Sequence, residues 1–532
     1  MPADLPAPVD PFTAEVIRNA LSAAAEEMSA VVMRSARSPL LREAGDLSSV
    51  LTDAEGALIA QGNDVPVHLG VLGYTVKAFL QRVPPERLRP GDVWLLNLPE
   101  VGGNHLPDVK AIRPIFHDGV LVTFAVSLAH WADIGGASPG SYYARATDAW
   151  MEGLRISPLR VFVDDAPDRE RLDMVLCNVR GAREREGDLL AQAAAVRIAD
   201  RRVGEIIARH GLATFQGAIR HLHDLSEAAM RALLRGLPDG VFQGEDFLDD
   251  GGPGDAPVAI RVRITKTGGT ATFDFSDTDD AVSGPLNTTP YVVGSAVFYA
   301  VRALSDQDIQ PNGGAIRPLR IVTRAGSLLD AGQDKPLVGG NHETSQRCVD
   351  AIFRALEGVV GPLLSAGGMA SAGLLIFGGP GTAGQWLTLY ETHGGGEGAR
   401  MDRDGMPVVR VHLTNVMATP VEVIEAEFGL RVEQQRLRVG SGGAGAHRGG
   451  DGMIRHYRVL AAGLALTTMF ERRVIPPYGL CGGMAGAPMR VTLTSADGTT
   501  RELRGKENLA LAPLDLVQVE TPGGGGYGAL LA

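Results

Sequence analysis

Two histidines and two aspartates sit at matching intervals in this chain. NHLPDV (104–109) holds His105 and Asp108 three residues apart in a turn marked by Pro107, and AHWADIGG (129–136) repeats the interval with His130 and Asp133. A divalent cation takes this mixture, since neutral imidazoles donate nitrogen lone pairs and carboxylates offset the ion's charge. One His-x-x-Asp alone usually means a hydrogen-bonded turn; two of them flanking a single apolar run point to a metal site. A water held by such an ion is acidified towards neutrality and becomes a nucleophile.

The elements that would bring the two halves together are legible in RPIFHDGVLVTFAVSLAH (113–130). Asp118-Gly119 is a strong two-residue hairpin turn, and strands on either side of it return His130 to the 105–108 turn. Ahead of this, DVWLLN (92–97) reads as a buried strand delivering the chain to the site. LREAGDLSSVLTDAEGALIAQG (41–62) reads as a second hairpin, around Ala54-Glu55-Gly56, which runs on to His68 in PVHLG. Glu43 and Asp46 precede its first strand, where they either face a cleft or are solvated turn carboxylates. Glu152, in EGLRISP (152–158), stands on a turn as a cap, a partner of Arg155 or an acid/base group.

The flanking elements follow from periodicity. Phe12, Val16, Ile17, Leu21, Met28, Val31 and Val32 recur at helical spacing, with Asp10 as N-cap and Pro11 in the first turn. A helix from Asp188 stopping at Gly211 and a second running to about Leu237 predict a helical hairpin. VAIRVRITKTGGTATFDFSD alternates around a Gly268-Gly269 turn, and Thr344 or Ser345 is placed to cap a helix whose first amides face an anion or serve only as a structural cap. Beyond residue 361 the strand-like runs VVRVHLTN, RVEQQRLRVG, GLALTTMF and MRVTLTS are interleaved with glycine clusters, which are expected to build turns. The fold class is therefore α+β and multidomain: a mixed metal-binding region (1–186), a helical hairpin (187–238), a central α+β region (239–400) and a β-rich, glycine-rich region (401–532).

With 532 residues there is ample chain for several cores, and 68 glycines are close to double the usual share of about 7%. A net charge of −12 with scattered arginines argues against a nucleic-acid partner. Three widely separated cysteines, Cys177, Cys348 and Cys481, form no metal or disulfide framework and suit a reducing cytoplasm. MPADLPAPVDPF lacks the basic and apolar parts of a signal peptide, and no apolar run reaches the ~18 residues of a membrane span. No glycine cluster has the GxxxxGK[ST] form or a GxGxxG set between strand and helix.

The ordered motifs PVHLG, NHLPDV, AHWADIGG, EGLRISP, GNHETSQR (340–347), YETHGGGEGAR (390–400), HLTN with TPVEV (412–423), SGGAGAHRGGDG (441–452), ERR (471–473) and TPGGGGYG (521–528) span nearly the whole chain. Through them it resembles the hydantoinase B / oxoprolinase family, whose relatives include chains of acetone and acetophenone carboxylases and of caprolactamase. The resemblance implies a metal held by Asp46, His105, Asp108 and His130, which makes Asp133 or Glu43 a candidate for orienting a ligating ring. It also implies His68 and Glu152 as acid/base candidates. The ion it implies is zinc, with Mn or Fe(II) equally suited by ligand type. An A-type subunit with an actin-like ATPase fold is implied as partner in a hetero-oligomer, binding the ATP and phosphorylating a cyclic amide that this chain hydrolyses. The alternative the resemblance carries is a subunit of an ATP-dependent ketone carboxylase. Asn97-Leu98-Pro99-Glu100 replaces the family's NDPY, and His342, His393 and Glu397 depart from its apolar or neutral residues, so substrate identity stays open.

Overall fold

A seven-stranded sheet carries the hairpin expected around Asp118-Gly119. In the computed structural model, which describes residues 9–68, 70–252, 256–305 and 309–530, residues 1–8 of MPADLPAPVDPF and Leu69 of PVHLG lie outside the described residues. The strands are β1 (Leu47–Asp53), β2 (Leu58–Gln61), β3 (Val93–Leu96), β4 (Asp108–His117), β5 (Val120–His130), β6 (Leu159–Val163) and β7 (Ala166–Pro167), in the order β2-β1-β5-β4-β3-β6-β7. Asp118 (φ 48°) and Gly119 (φ 79°) both take the left-handed conformation that a tight hairpin turn needs. The register sets Asp108 opposite His130 and Leu47 opposite Ala129. Because these neighbours run antiparallel, the start of β1, the end of β5 and the start of β4 meet at one end of the sheet.

Helix α1 (Pro11–Ser35) starts where Asp10 accepts a hydrogen bond from the Thr13 amide at 3.0 Å, and it buries Ile17, Leu21, Met28 and Val32. Phe12 and Val16, expected on that apolar face, instead point outward and are 79% and 37% exposed. The helical hairpin consists of Ala182–His210 and Leu212–Gly236, parted by Gly211 at φ 82°. Its first helix begins at Ala182, ahead of the expected cap. Asp188 is buried within the helix, where its Oδ1 accepts from the amides of Arg37 (2.9 Å) and Ser38 (3.0 Å). An acidic residue ahead of an apolar run here caps a neighbouring segment, a distinction that sequence spacing does not carry.

The central sheet orders Leu319–Val322, Thr270–Asp274, Val258–Thr267 and Gly240–Leu248, and helices Pro290–Arg302 and Ser345–Val360 pack against it. The second helix grows out of a buried π-helical turn, Gly340–Thr344. Thr344 and Ser345 both have helical backbone angles there, and their hydroxyls donate to the carbonyls of Leu286 and Asn341, so neither caps the helix. Buried charges join this helix to its surroundings. Arg347 lies 3.2 Å from Asp246 and 3.1 Å from Asp350, while Arg472 lies 3.4 Å and 2.8 Å from the same two carboxylates.

Two further sheets form the C-terminal part. One is four-stranded, with Leu374–Pro380 and Ala465–Met469 at its centre; the other is five-stranded and includes Leu430–Arg438 and Arg490–Thr494. The runs RVEQQRLRVG, GLALTTMF and MRVTLTS therefore supply strands, but VVRVHLTN does not. Val408 (φ 53°) and His412 (φ 58°) interrupt its extended backbone.

The glycine clusters correct an expectation as well. Rather than only turning the chain, they pack extended backbones side by side around segment 522–528. The amides of Gly524, Gly525 and Gly526 donate to the carbonyls of Gly450 (2.9 Å), Gly367 (2.8 Å) and Met484 (2.8 Å). In return, Pro522, Gly524 and Gly525 accept from Gly396, Gly443 and Ala399. A Cβ on Gly524 or Gly525 would fall 1.9 Å from the carbonyl oxygen of Glu397 or Tyr478. The chains approach too closely for any side chain to fit between them.

Candidate metal centre

The end of the sheet where β1, β5 and β4 meet gathers the functional side chains. Asp108 opens β4 opposite His130, which closes β5, and the His130 amide donates to the Asp46 carbonyl at 3.1 Å. His105 enters from the turn before β4, and His68 from a single helical turn, Pro66–His68. Asp108 is fully buried, with His105 Nε2 and His130 Nδ1 each 3.1 Å from its Oδ1 and His68 Nε2 3.5 Å from its Oδ2. Donor atoms of His105, Asp108 and His130 all lie within 4.8 Å of one another.

Asp46, His68, His105 and His130 line one cavity together with Asn341, His342, Tyr390 and Arg410. At about 30 Å³ it has room for an ion and a water. Asp46 lies on its wall, beside the cluster of three and not within it.

The donor chemistry fits a cation. His130 Nε2 and Asp108 Oδ2 are buried without a hydrogen-bond partner, which is costly unless something else satisfies them. His105 Nδ1 lies 2.8 Å from the Val338 carbonyl, which fixes the ring and turns Nε2 towards Asp108. Burial alone would raise the Asp108 carboxyl, yet the surrounding histidines, His105 foremost, hold it well below the usual carboxylate range. It stays ionised and available.

Behind these groups stands a ring of aromatic and polar residues that the sequence did not single out together. Tyr142 and Tyr390 share a hydrogen bond between hydroxyls at 2.9 Å, and His342 Nε2 lies 3.0 Å from the Tyr142 hydroxyl. Burial pushes both phenols well above their ordinary range, so they remain hydrogen-bond donors. Asn341 Nδ2 approaches His105 Nε2 at 3.3 Å. The π-helical turn accounts for this placement, since it presents the adjacent Asn341 and His342 to one cavity.

Other residues marked in the sequence stand elsewhere. Asp133 folds its own loop, accepting from the amides of Gly135 (2.7 Å) and Gly140 (2.8 Å) and pairing with Arg180, while Glu43 pairs with Arg42. Neither touches a ligating ring. Glu152 does not line the cavity. It is fully buried, and its two oxygens accept from the amides of Leu337 (3.0 Å) and Val338 (2.9 Å), while Arg155 pairs with Glu100. Burial pushes its carboxyl up to about 8 despite those two amides. Since Val338 holds the His105 ring through its carbonyl, Glu152 reaches the centre through one residue of backbone.

Glu152→Gln sets an NH2 group against one of the two amides and loosens that backbone. We expect about a tenfold loss of metal affinity, measured by competition with a chelator, at unchanged secondary structure. Unchanged affinity would remove Glu152 from the support of His105.

The family profile described as Hydantoinase B/oxoprolinase matches residues 10–530. 5-Oxoprolinase 1 of Arabidopsis thaliana is 32% identical over 95% of this chain, which spans only 41% of that protein. A Pseudomonas protein, provisionally named as the B component of a D-/L-hydantoinase, is 31% identical, with 98% of this chain and 90% of its own covered. Among solved structures, ATP-dependent caprolactamase from Pseudomonas jessenii superposes with a TM-score of 0.92 at 27% identity, covering 98% of this chain and 91% of its own. A nucleotide-free acetone carboxylase shares the fold, with a TM-score of 0.88 at 18% identity over 98% of this chain and 76% of its own. With the profile spanning almost every residue that builds the centre and its scaffold, the chain belongs to the hydantoinase B/oxoprolinase family.

Proposed function

We propose that this chain is the B-type hydrolytic component of an ATP-dependent hydrolase of cyclic amides, acting on a hydantoin, an oxoproline-like lactam or a related ring. The observation that carries this reading is the convergence of His105, Asp108 and His130 at one end of the sheet, with buried donor atoms left unsatisfied. In this reading Asp46, on the cavity wall, joins them as fourth ligand to one zinc, manganese or iron(II) ion. When bound, the ion supplies a Lewis acid and an acidified water.

The side chains of this chain do the remaining work. The His105 ring is held by Val338, and Glu152 positions the backbone of that residue. His68, whose Nδ1 lies 2.7 Å from Ser48 Oγ, offers Nε2 at the cavity wall as a proton acceptor during ring opening. Tyr390, backed by Tyr142, donates towards an oxygen in the cavity as charge develops on it.

A ring amide is a poor electrophile, and the sequence has no phosphate-binding loop of the GxxxxGK[ST] kind. Activation is therefore assigned to an A-type partner subunit with an actin-like ATPase fold, which phosphorylates the carbonyl oxygen within a hetero-oligomer. Likeness to a protein named as a hydantoinase B component and to an ATP-dependent caprolactamase supports that division of labour. The three cysteines, all free, support a reducing cytoplasmic setting, and no helix among the described residues is long and apolar enough to cross a membrane.

The test is product analysis and ATP consumption by the chain co-purified with its partner, against a panel of cyclic amides and ketones. Ring opening that requires ATP and ignores bicarbonate is expected. Carboxylation of a ketone that requires bicarbonate would replace this reading with the carboxylase one.

A further inference from the structure

A second cavity, of about 320 Å³, adjoins the metal centre and shares Arg410 and Thr414 with it. Tyr299, Phe353, Glu397, Arg400 and His412 are among its other lining residues. The cavity at the ion is too small for a ring substrate, whereas the second falls within the range of small-molecule sites.

Two arginines in this second cavity are incompletely partnered. Arg410 gives one hydrogen bond, from Nη2 to Thr414 Oγ1 at 2.8 Å, while its Nε and Nη1 are shielded from water and have no acceptor. Arg400 Nε is likewise buried without an acceptor. Among the described residues no carboxylate stands within ion-pair distance of either guanidinium. Glu397 is turned to the Met406 amide (3.1 Å) and Arg403, Glu391 is bound to Arg455, and His412 faces Asp350. Glu343 accepts from the Ala372 amide at 2.9 Å and lies 3.0 Å from His342. Buried guanidinium N–H groups without acceptors are costly, and an oxyanion is the ligand that satisfies several of them together.

We propose that this cavity is the seat of an anionic group on the substrate, a phosphoryl or carboxylate group, held by Arg400 and Arg410, with Arg410 directing the adjoining atoms into the metal centre. Arg410 suits that task because it lines both cavities, and Arg400 because it lines the larger one alone. The proposal rests on the hydrolase reading for what the anion is attached to. The phosphoryl source is the group that an ATP-dependent partner installs, and the carboxylate source is one the ring already bears.

The experiment uses the full chain stripped of metal, so that no ion binds the probe. Inorganic phosphate and acetate are titrated calorimetrically into wild type, Arg400→Gln, Arg410→Gln and Arg410→Lys. Saturable binding is expected, weakened at least tenfold in each glutamine variant and partly restored by lysine. Phosphate preference assigns the phosphoryl source and acetate preference the carboxylate source. Equal affinities in wild type and both glutamine variants, with melting temperatures unchanged, would overturn the proposal. Should Arg410→Gln unfold, Arg400→Gln, outside the ion's own cavity, decides alone. The titration needs neither ATP nor the partner, so its failure is separable from failure of the hydrolase reading.

Discussion

On the proposed hydrolase reading, a chain carrying His130→Ala is expected to purify without a divalent ion and to lose about three orders of magnitude of ring-opening activity in the presence of an A-type partner and ATP. His130 ends β5, and its ring supplies a buried nitrogen with no other partner, so alanine removes a donor that nothing nearby replaces. The local fold survives, because the bond tying this position to Asp46 comes from the backbone amide. Asp108→Asn tests the same centre by charge. It retains the shape but turns an acceptor shared by three histidines into a group with an NH2 face, and it too is expected to release the ion. Asp133→Asn supplies the contrast, since that carboxylate serves the 135–140 loop and Arg180. Elemental analysis beside the activity assay reads all three. Full metal occupancy in both His130→Ala and Asp108→Asn would sink the assignment of the centre.

The centre was legible in the sequence to the extent that one hairpin builds it. His105, Asp108 and His130 lie close along the chain, and Asp118-Gly119 reports the turn that brings them together. Everything contributed from farther away was harder to see. Tyr142, Tyr390, the adjacent pair Asn341 and His342, and Arg410 come from four separate segments, and no local period links them. VVRVHLTN shows why pattern alone misleads. Its alternation is that of a strand, yet left-handed Val408 and His412 turn it into the irregular wall that carries Arg410. Glu152 and Asp133 mark the opposite limit: carboxylates beside a metal motif need not face the metal, because buried amides and an arginine compete for them.

The other large effect is on stability. Arg347→Met is expected to destabilise the chain by about 3–5 kcal/mol. The substitution fills most of the volume but leaves Asp246 and Asp350, both fully buried, facing Arg472 as the remaining buried arginine. Without Arg347 the two carboxylates share one buried arginine, and removal of one partner from a buried set costs far more than the set contributes when intact. Arg354→Met is the control. That side chain is 37% exposed and its Nε stands 3.8 Å from Asp246, so its loss is expected to cost no more than about 1 kcal/mol. Chemical denaturation of the two variants separates them. Equal midpoints would show that Arg347 is not the centre of this charge cluster.

The stack of bare backbones around segment 522–528 bears on how the protein is made. That segment leaves the ribosome after every stretch it bonds to is already out, so main-chain groups at 367, 396–399, 443–450 and 480–487 stay open until it arrives. Contacts of such long sequence separation are slow to close. One of these stretches carries Glu397 and leads directly into Arg400, so this wall of the larger cavity borders main-chain bonds, at Gly396 and Ala399, that only the 522–528 segment can close.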